Sequence, residues 1–149
     1  MPLPPPQAPT TPARLLALDL GERRIGVAIS DELGMFAHPR PALHVRSDAD
    51  AIERITALVA AEVVAEVIVG LPLTLEGRPA AQVARIRPLI QSLRSRLAVP
   101  VTEWDERLSS FQAARQVTGK VRQRSGELDS AAAAVILQAV IDARRGASR

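Results

Sequence analysis

Leu15-Leu16-Ala17-Leu18-Asp19-Leu20-Gly21-Glu22-Arg23-Arg24-Ile25-Gly26-Val27-Ala28-Ile29-Ser30 reads as a hydrophobic strand, a tight turn and a second strand. Asp19 stands where the first apolar run ends, and Gly21 supplies the freedom that a sharp reversal demands. A carboxylate there is exposed enough to hold a metal ion, yet rigid enough to hold it in one place. Taken alone, it could equally serve to shape the turn. Two further acidic points, Asp105-Glu106 and Asp129, lie far along the chain and also fall at the ends of predicted elements. Convergence of the three on a divalent cation would make the chain an enzyme acting on phosphates.

The elements can be read outward from that hairpin. Residues 1–12 form a proline-rich tail, expected to be extended and disordered. Residues 13–145 are expected to form one domain and 146–149 a short C-terminal tail. The first strand is expected over Arg14–Leu20 and the second over Ile25–Ser30. A third runs over Phe36–Leu43; Pro39 and Pro41 make it an edge strand. Ser47 and Asp50 resemble a capping box opening a helix, with Ile52, Ile55, Leu58, Val59 and Val63 on its apolar face. Val67-Ile68-Val69 is a short, wholly apolar run, as in a central parallel strand. A second helix presents Val83, Ile86, Ile90, Leu93 and Leu97, and Pro88 is expected to kink it or delay its start. A strand over Val99–Trp104 follows. Ser109 or Ser110 then caps a short helix to Val117, before a basic loop over Thr118–Glu127 and an Ala-rich helix over Asp129–Arg145. Three strands first and βα units after predict an α/β fold: a mixed five-stranded sheet, antiparallel meander plus parallel βα units, flanked by helices. That order is the one used by the ribonuclease H-like fold.

Composition narrows the chemistry. The 149 residues suffice for one domain with a full core, and 47% of them are hydrophobic. No apolar run is long enough to span a membrane, and a signal peptide is not expected. With no cysteine, disulfides and thiolate metal sites are excluded. A metal would be held by oxygen, or by His38 or His44, and oxygen ligands favour magnesium or manganese. Net charge is +3 and Lys120 is the only lysine, so arginine carries the positive charge. From Gly77 to Thr102 there are five arginines (Arg78, Arg85, Arg87, Arg94, Arg96) and no acid. From Phe111 to Ser125 stand Arg115, Lys120, Arg122 and Arg124, again without an acid. Such stretches suit polyanions. Aromatics are only 2%, which argues for phosphate contacts over base stacking.

Each acid also has an ordinary structural reading. Asp105 or Glu106 could pair with a neighbouring arginine at the surface. Asp129 stands where a helix cap is wanted, and a helix N-terminus is a poor place for a cation. Asp31, Glu32, Asp48 and Asp50 read as loop and helix-start acids, His38 and His44 as surface residues, and Trp104 as core packing at a sheet edge. The functional reading needs the acids together, since hydrolysis of a phosphodiester by two metal ions requires carboxylates that bridge and flank them. Strand alternation puts Asp105 and Glu106 on opposite faces and leaves open which of them serves.

Four blocks carry a resemblance. They are Leu18-Asp19-Leu20-Gly21 with Arg24-Ile25-Gly26-Val27-Ala28-Ile29-Ser30; Val69-Gly70-Leu71-Pro72; Asp105-Glu106-Arg107-Leu108-Ser109; and Leu128-Asp129-Ser130-Ala131-Ala132. In order and spacing they resemble the signature blocks of the YqgF/RuvX family, over about residues 14–143. The resemblance implies a ribonuclease H-like fold related to RuvC resolvases. It implies a cytoplasmic nuclease dependent on Mg2+ or Mn2+, acting in pre-16S rRNA 5′-end processing, Holliday junction resolution or both. It makes Asp19 the first-strand metal ligand and Asp129 the last. RuvC-type resolvases carry a second acid at the end of the fourth strand; Gly70-Leu71-Pro72 has none, so the Asp105-Glu106 pair must replace it. Arg107 becomes a partner of phosphate or of the acidic cluster. Arg23, Arg24, Arg107, Ser110, Arg115, Lys120, Arg122 and Arg124 are the expected contacts to a four-way DNA junction or a structured pre-rRNA. No membrane partner is expected, and symmetric cutting of a junction would call for a homodimer. Two other readings stay in view: an inactive nucleic-acid-binding or ribosome-assembly module, and an ATP-binding domain of the actin and sugar-kinase type. The latter needs two such domains, and 149 residues have room for one.

Overall fold

Leu16, Ala17 and Leu18 are all fully buried in strand β1 (Arg14–Leu20), so both faces of this strand are covered. The computed structural model describes residues 2–4, 13–72, 81–108 and 127–147, with side chains in the last helix described over residues 130–146. Strand β1 lies at the centre of a five-stranded sheet of order β3-β2-β1-β4-β5, with β2 at Arg24–Ser30, β3 at Ala37–His44, β4 at Val64–Leu71 and β5 at Val101–Asp105. It pairs antiparallel with β2 and parallel with β4, and β4 pairs parallel with β5. The meander and the parallel units are those expected from the sequence, and β3, with its two prolines, is an edge strand.

The β1–β2 turn depends on Gly21. Its N–H donates to the Arg24 carbonyl at 3.0 Å, and a Cβ at this position would run into that carbonyl.

Helices α1 (Asp48–Ala61) and α2 (Val83–Arg96) cover one face of the sheet. There Leu16, Leu18, Val67 and Val69 of the central strands meet Ile55, Ile90 and Leu93. Ser47 caps α1 by accepting from the Asp50 N–H at 3.1 Å, and Asp50 accepts from the Arg46 N–H at 2.9 Å. One expectation about these helices needs correction. Val63 is not part of the apolar face: it is 79% exposed and lies beyond α1, at φ 52° in the left-handed turn into β4. Of the two effects expected of Pro88, a delayed start is not seen: α2 runs from Val83 through it. Proline there removes only the bond to the carbonyl of Ala84, an exposed residue whose carbonyl water can satisfy.

Helix α3 (Glu127–Ala147) covers the other face. The small residues Ala17 and Ala28 let it close down, and Ala133, Ile136, Leu137, Val140 and Ile141 fill the interface. It starts two residues before Asp129, so that residue lies within the first turn and is not its N-cap. The short helix expected up to Val117 and the loop from Thr118 lie outside the described residues. Among the described residues no helix is long and apolar enough to cross a membrane.

Three polar side chains fasten α3. The β2–β3 register shifts between Ile25 and Val27, and Ser130, wholly buried, fills the break. The Val27 N–H donates to Ser130 Oγ at 3.2 Å, and the Ser130 hydroxyl donates to the Arg40 carbonyl, so a hydroxyl is inserted between two residues that face each other in the ladder. Gln138 accepts from the Ala37 N–H at 2.9 Å and donates to the Met35 carbonyl at 3.2 Å. Near the far end, Arg144 donates to both oxygens of Glu66 on β4 at 2.8 Å, and Thr102 Oγ1 on β5 adds a third bond at 2.7 Å.

Replacing Ser130 by Ala should leave the buried Val27 N–H without a partner and take the bridge from the part-buried Arg40 carbonyl. The expected cost is roughly 1–3 kcal/mol, read as a lower urea midpoint at unchanged slope. An unchanged midpoint would mean that the strands close on each other directly. The Arg144 hydrogen bonds hold the Glu66 carboxyl below its ordinary value of 4.5. Its stabilising contribution is therefore complete above that value and is lost as pH falls through the lowered one. Glu66→Gln should cost about 1 kcal/mol at neutral pH, allowing for the half-exposed guanidinium, and the cost should shrink below about pH 4. A cost that stays constant down to acid pH would contradict this.

Candidate active site

Strand alternation decides which acids meet. Ala17 belongs to the core under α3, and Asp19, half-buried, shares its parity on β1. The β1–β4 pairing runs through Leu18–Val69, and the next step along it sets Asp19 beside Gly70. Gly70 pairs in turn with Trp104 on β5, and Trp104 packs against the core under α3, as expected for it. Two residues on, Glu106 opens a single 3-10 turn (Glu106–Leu108) and returns to the same face. Its Oε1 lies 2.9 Å, and its Cγ 3.2 Å, from the point where a Cβ on Gly70 would stand. Asp19 and Glu106 thus share one face at the carboxyl ends of the parallel strands, the edge at which open α/β sheets bind their ligands.

The electrostatics fit that placement. Burial pushes the Glu106 carboxyl up to about 7, helped by the nearby charge of Asp19 and then by that of Asp105. Asp105 behaves in the opposite way. It has the parity of Val101, which belongs to the core on the other face, and it is engaged by Arg107. Arg107 Nε donates to both Asp105 oxygens at 3.0 Å, its Nη2 donates to Oδ2 at 2.6 Å, and its backbone N–H donates to Oδ1 at 2.9 Å. These bonds hold the Asp105 carboxyl below the usual range. The pairing of Arg107 with the acidic cluster is therefore with Asp105.

Asp129 is the third residue of α3, one step from the Ser130 clamp; its side chain lies outside the described residues. Among the described residues no three acids or histidines gather around a common point. His38 lies in the β2–β3 hairpin 4.0 Å from Asp31, and both it and His44 are exposed.

Arg23 and Arg24 are exposed at the turn beside Asp19. Ser110, Arg115, Lys120, Arg122 and Arg124 lie outside the described residues. Of the arginines of Gly77–Thr102, Arg78 lies outside the described residues, Arg87 is exposed, and the other three have partners. Arg94 donates to the Val101 carbonyl, Arg96 pairs with Glu53 at 2.6 Å, and Arg85 stands 3.8 Å from Asp48. Arg85 also lines a groove with Asp19, Gly21, Glu22 and Gln82. That placement needs the start of α2 to lie against the β1–β2 turn, which no local pattern announces. Gly70 is the other position whose role the sequence hid. It reads as the end of a strand, and only the packing shows what lies over it.

The geometry agrees with what the chain resembles. The family model RuvX, described as Holliday junction resolvase, matches residues 13–143. A relative from Roseiflexus sp. (strain RS-1), named "Putative pre-16S rRNA nuclease", is 37% identical over 137 residues, covering 90% of this chain and 97% of its own. One of the same name from Chloroflexus aggregans is 42% identical over 134 residues, covering 88% and 94%. Among solved structures, Thermus thermophilus RuvC in complex with a Holliday junction substrate superposes with a TM-score of 0.60 at 15% identity, over 90% of this chain and 96% of that one. The fowlpox virus Holliday junction resolvase gives a TM-score of 0.55 at 10% identity, over 87% and 99%. The structural likenesses show a ribonuclease H-like fold, and the family model and the relatives at 37% and 42% identity establish that the chain belongs to the RuvX family.

Proposed function

We propose that this chain is a divalent-metal-dependent nuclease that hydrolyses nucleic-acid phosphodiesters in the cytoplasm, with pre-16S rRNA as its substrate. One observation carries the metal site: Glu106, lying over Gly70, shares a face with Asp19. Two carboxylates so placed repel when both are ionised, which is a cost unless positive charge sits between them. Carboxylate oxygens suit Mg2+ or Mn2+. When bound, such ions supply an activated water and neutralise charge on the leaving oxygen. The pre-16S substrate is supported by relatives of that name at 37% and 42% identity across nearly the whole chain. The family's description names a second candidate, the Holliday junction.

The chain's own residues then divide the work. Asp19 is held in place by β2 on one side and β4 on the other, and Glu106 by the turn that ends β5. Asp129 is the proposed third ligand, by resemblance. Asp105 holds Arg107 instead of a cation, and leaves that guanidinium partly exposed to meet a phosphate. Arg23 and Arg24, with Ser110, Arg115, Lys120, Arg122 and Arg124, are the remaining proposed contacts along the strand. The products carry 5′-phosphate and 3′-hydroxyl.

The test uses an end-labelled pre-16S leader and a synthetic four-way DNA junction in parallel, each with Mn2+, Mg2+ or EDTA. The expected result is metal-dependent cleavage of the RNA, slowed on the order of 100-fold or more by Asp19→Asn. Cleavage of the junction alone would replace the substrate. No cleavage of either, with both proteins binding equally, would leave an inactive binding module.

A second expectation concerns pH. The folded value of Glu106, about 7, lies above its ordinary 4.5. Its stabilising contribution is therefore complete below the ordinary value and lost as pH rises through the folded one. The full shift corresponds to about 3 kcal/mol, which partial solvent access reduces to about 1–2 kcal/mol. In EDTA, Glu106→Gln should therefore be more stable than the natural protein at about pH 8 and similar at about pH 4. It should also lose cleavage. A variant less stable at both pH values would count against a crowded carboxylate.

A further inference from the structure

Gly70 sits inside β4, a strand position where glycine weakens the structure and packs nothing. Backbone conformation does not require it: among the described residues the only glycine at positive φ is Gly34. The reason lies in the space above it. A Cβ there would meet Ile136 Cδ1 of α3 at 2.7 Å, Glu106 Oε1 at 2.9 Å and Glu106 Cγ at 3.2 Å. The first two are closer than real Cβ atoms approach other groups, so something would have to shift. Ile136 is 3% exposed and locked in the core under α3. Glu106, at the end of a strand and half-buried, has the freer path.

We infer that Gly70 is a positioning residue: its missing side chain is the seat on which Glu106 lies flat across β4, bringing that carboxylate beside Asp19. The inference rests on the reading of Asp19 and Glu106 as metal ligands. The acid and the gap are then one device: the strand position that lacks a side chain is the one over which the acid beyond the next strand lies.

The two clashes can be separated by substitution. Ile136→Val removes Cδ1 and with it the core clash, leaving only the clash with Glu106. Gly70→Ala, Ile136→Val and the double variant are compared with the natural protein by unfolding midpoint in EDTA, rise of that midpoint on saturating Mn2+, and kcat and KM on the cleaved substrate. Each variant's own midpoint in EDTA is the baseline for its Mn2+ rise, so that stability and metal holding are read apart. Ile136→Val alone should keep the natural Mn2+ rise. In the double variant the EDTA midpoint should return to that of Ile136→Val. Its Mn2+ rise should stay at less than half the natural one, and kcat should fall by roughly 10- to 100-fold with KM little changed. A double variant with the natural Mn2+ rise and kcat would overturn the inference and make Gly70 a packing residue under α3. A natural protein whose midpoint Mn2+ does not raise would instead overturn the metal reading itself, and this inference with it.

Discussion

Two carboxylates on one face of a sheet repel, and this molecule is built to hold them there. Asp19 cannot retreat because β1 is hydrogen-bonded on both sides. Glu106 is returned over Gly70 by the turn that ends β5, in a half-buried position where its charge is poorly solvated. The third acid of the region, Asp105, is taken out of the conflict by Arg107, two residues away. The outcome is one low-lying carboxyl tied to a cation and one raised carboxyl left to share a site with Asp19. Perturbed carboxyls gather at functional sites, which is why Glu106 and not Asp105 is the proposed ligand.

The rest of the fold serves that edge. The parallel β1–β4–β5 set brings residues from positions 19, 70 and 106 to the same level, which sequence separation alone would never do. Helix α3 closes the face and is fastened near its start, middle and end by Ser130, Gln138 and Arg144. The Ser130 clamp ties the first turn of α3 to β2 and β3, and so fixes the backbone of the neighbouring Asp129 relative to the sheet. A serine placed in a broken strand ladder thus joins packing to function, since a slip of this helix would move a proposed ligand.

Much of the architecture was legible because it rests on residue type and short-range spacing. The strand at Arg14–Leu20 and the capped start of α1 follow from an apolar run ended at Asp19 and from a Ser-x-x-Asp spacing, and both stand where expected. Val63 was misread because a rule for the helix interior was applied where the chain had already turned. The arginines had partners that spacing could not announce: Arg94 donates to a strand carbonyl and Arg96 pairs with Glu53, groups that only folding brings near.

By itself the sequence determined the α/β order of elements, the acid at the first strand end, the four blocks of the family and the absence of thiolate chemistry. All of these depend on residue type and short-range spacing. Only the tertiary structure set Asp105 and Glu106 apart. The difference lies in which face each side chain reaches, in an arginine that pairs with one of them and in a vacancy above Gly70 that accepts the other. A vacancy is a property of three segments packed together, and no one of them carries it alone.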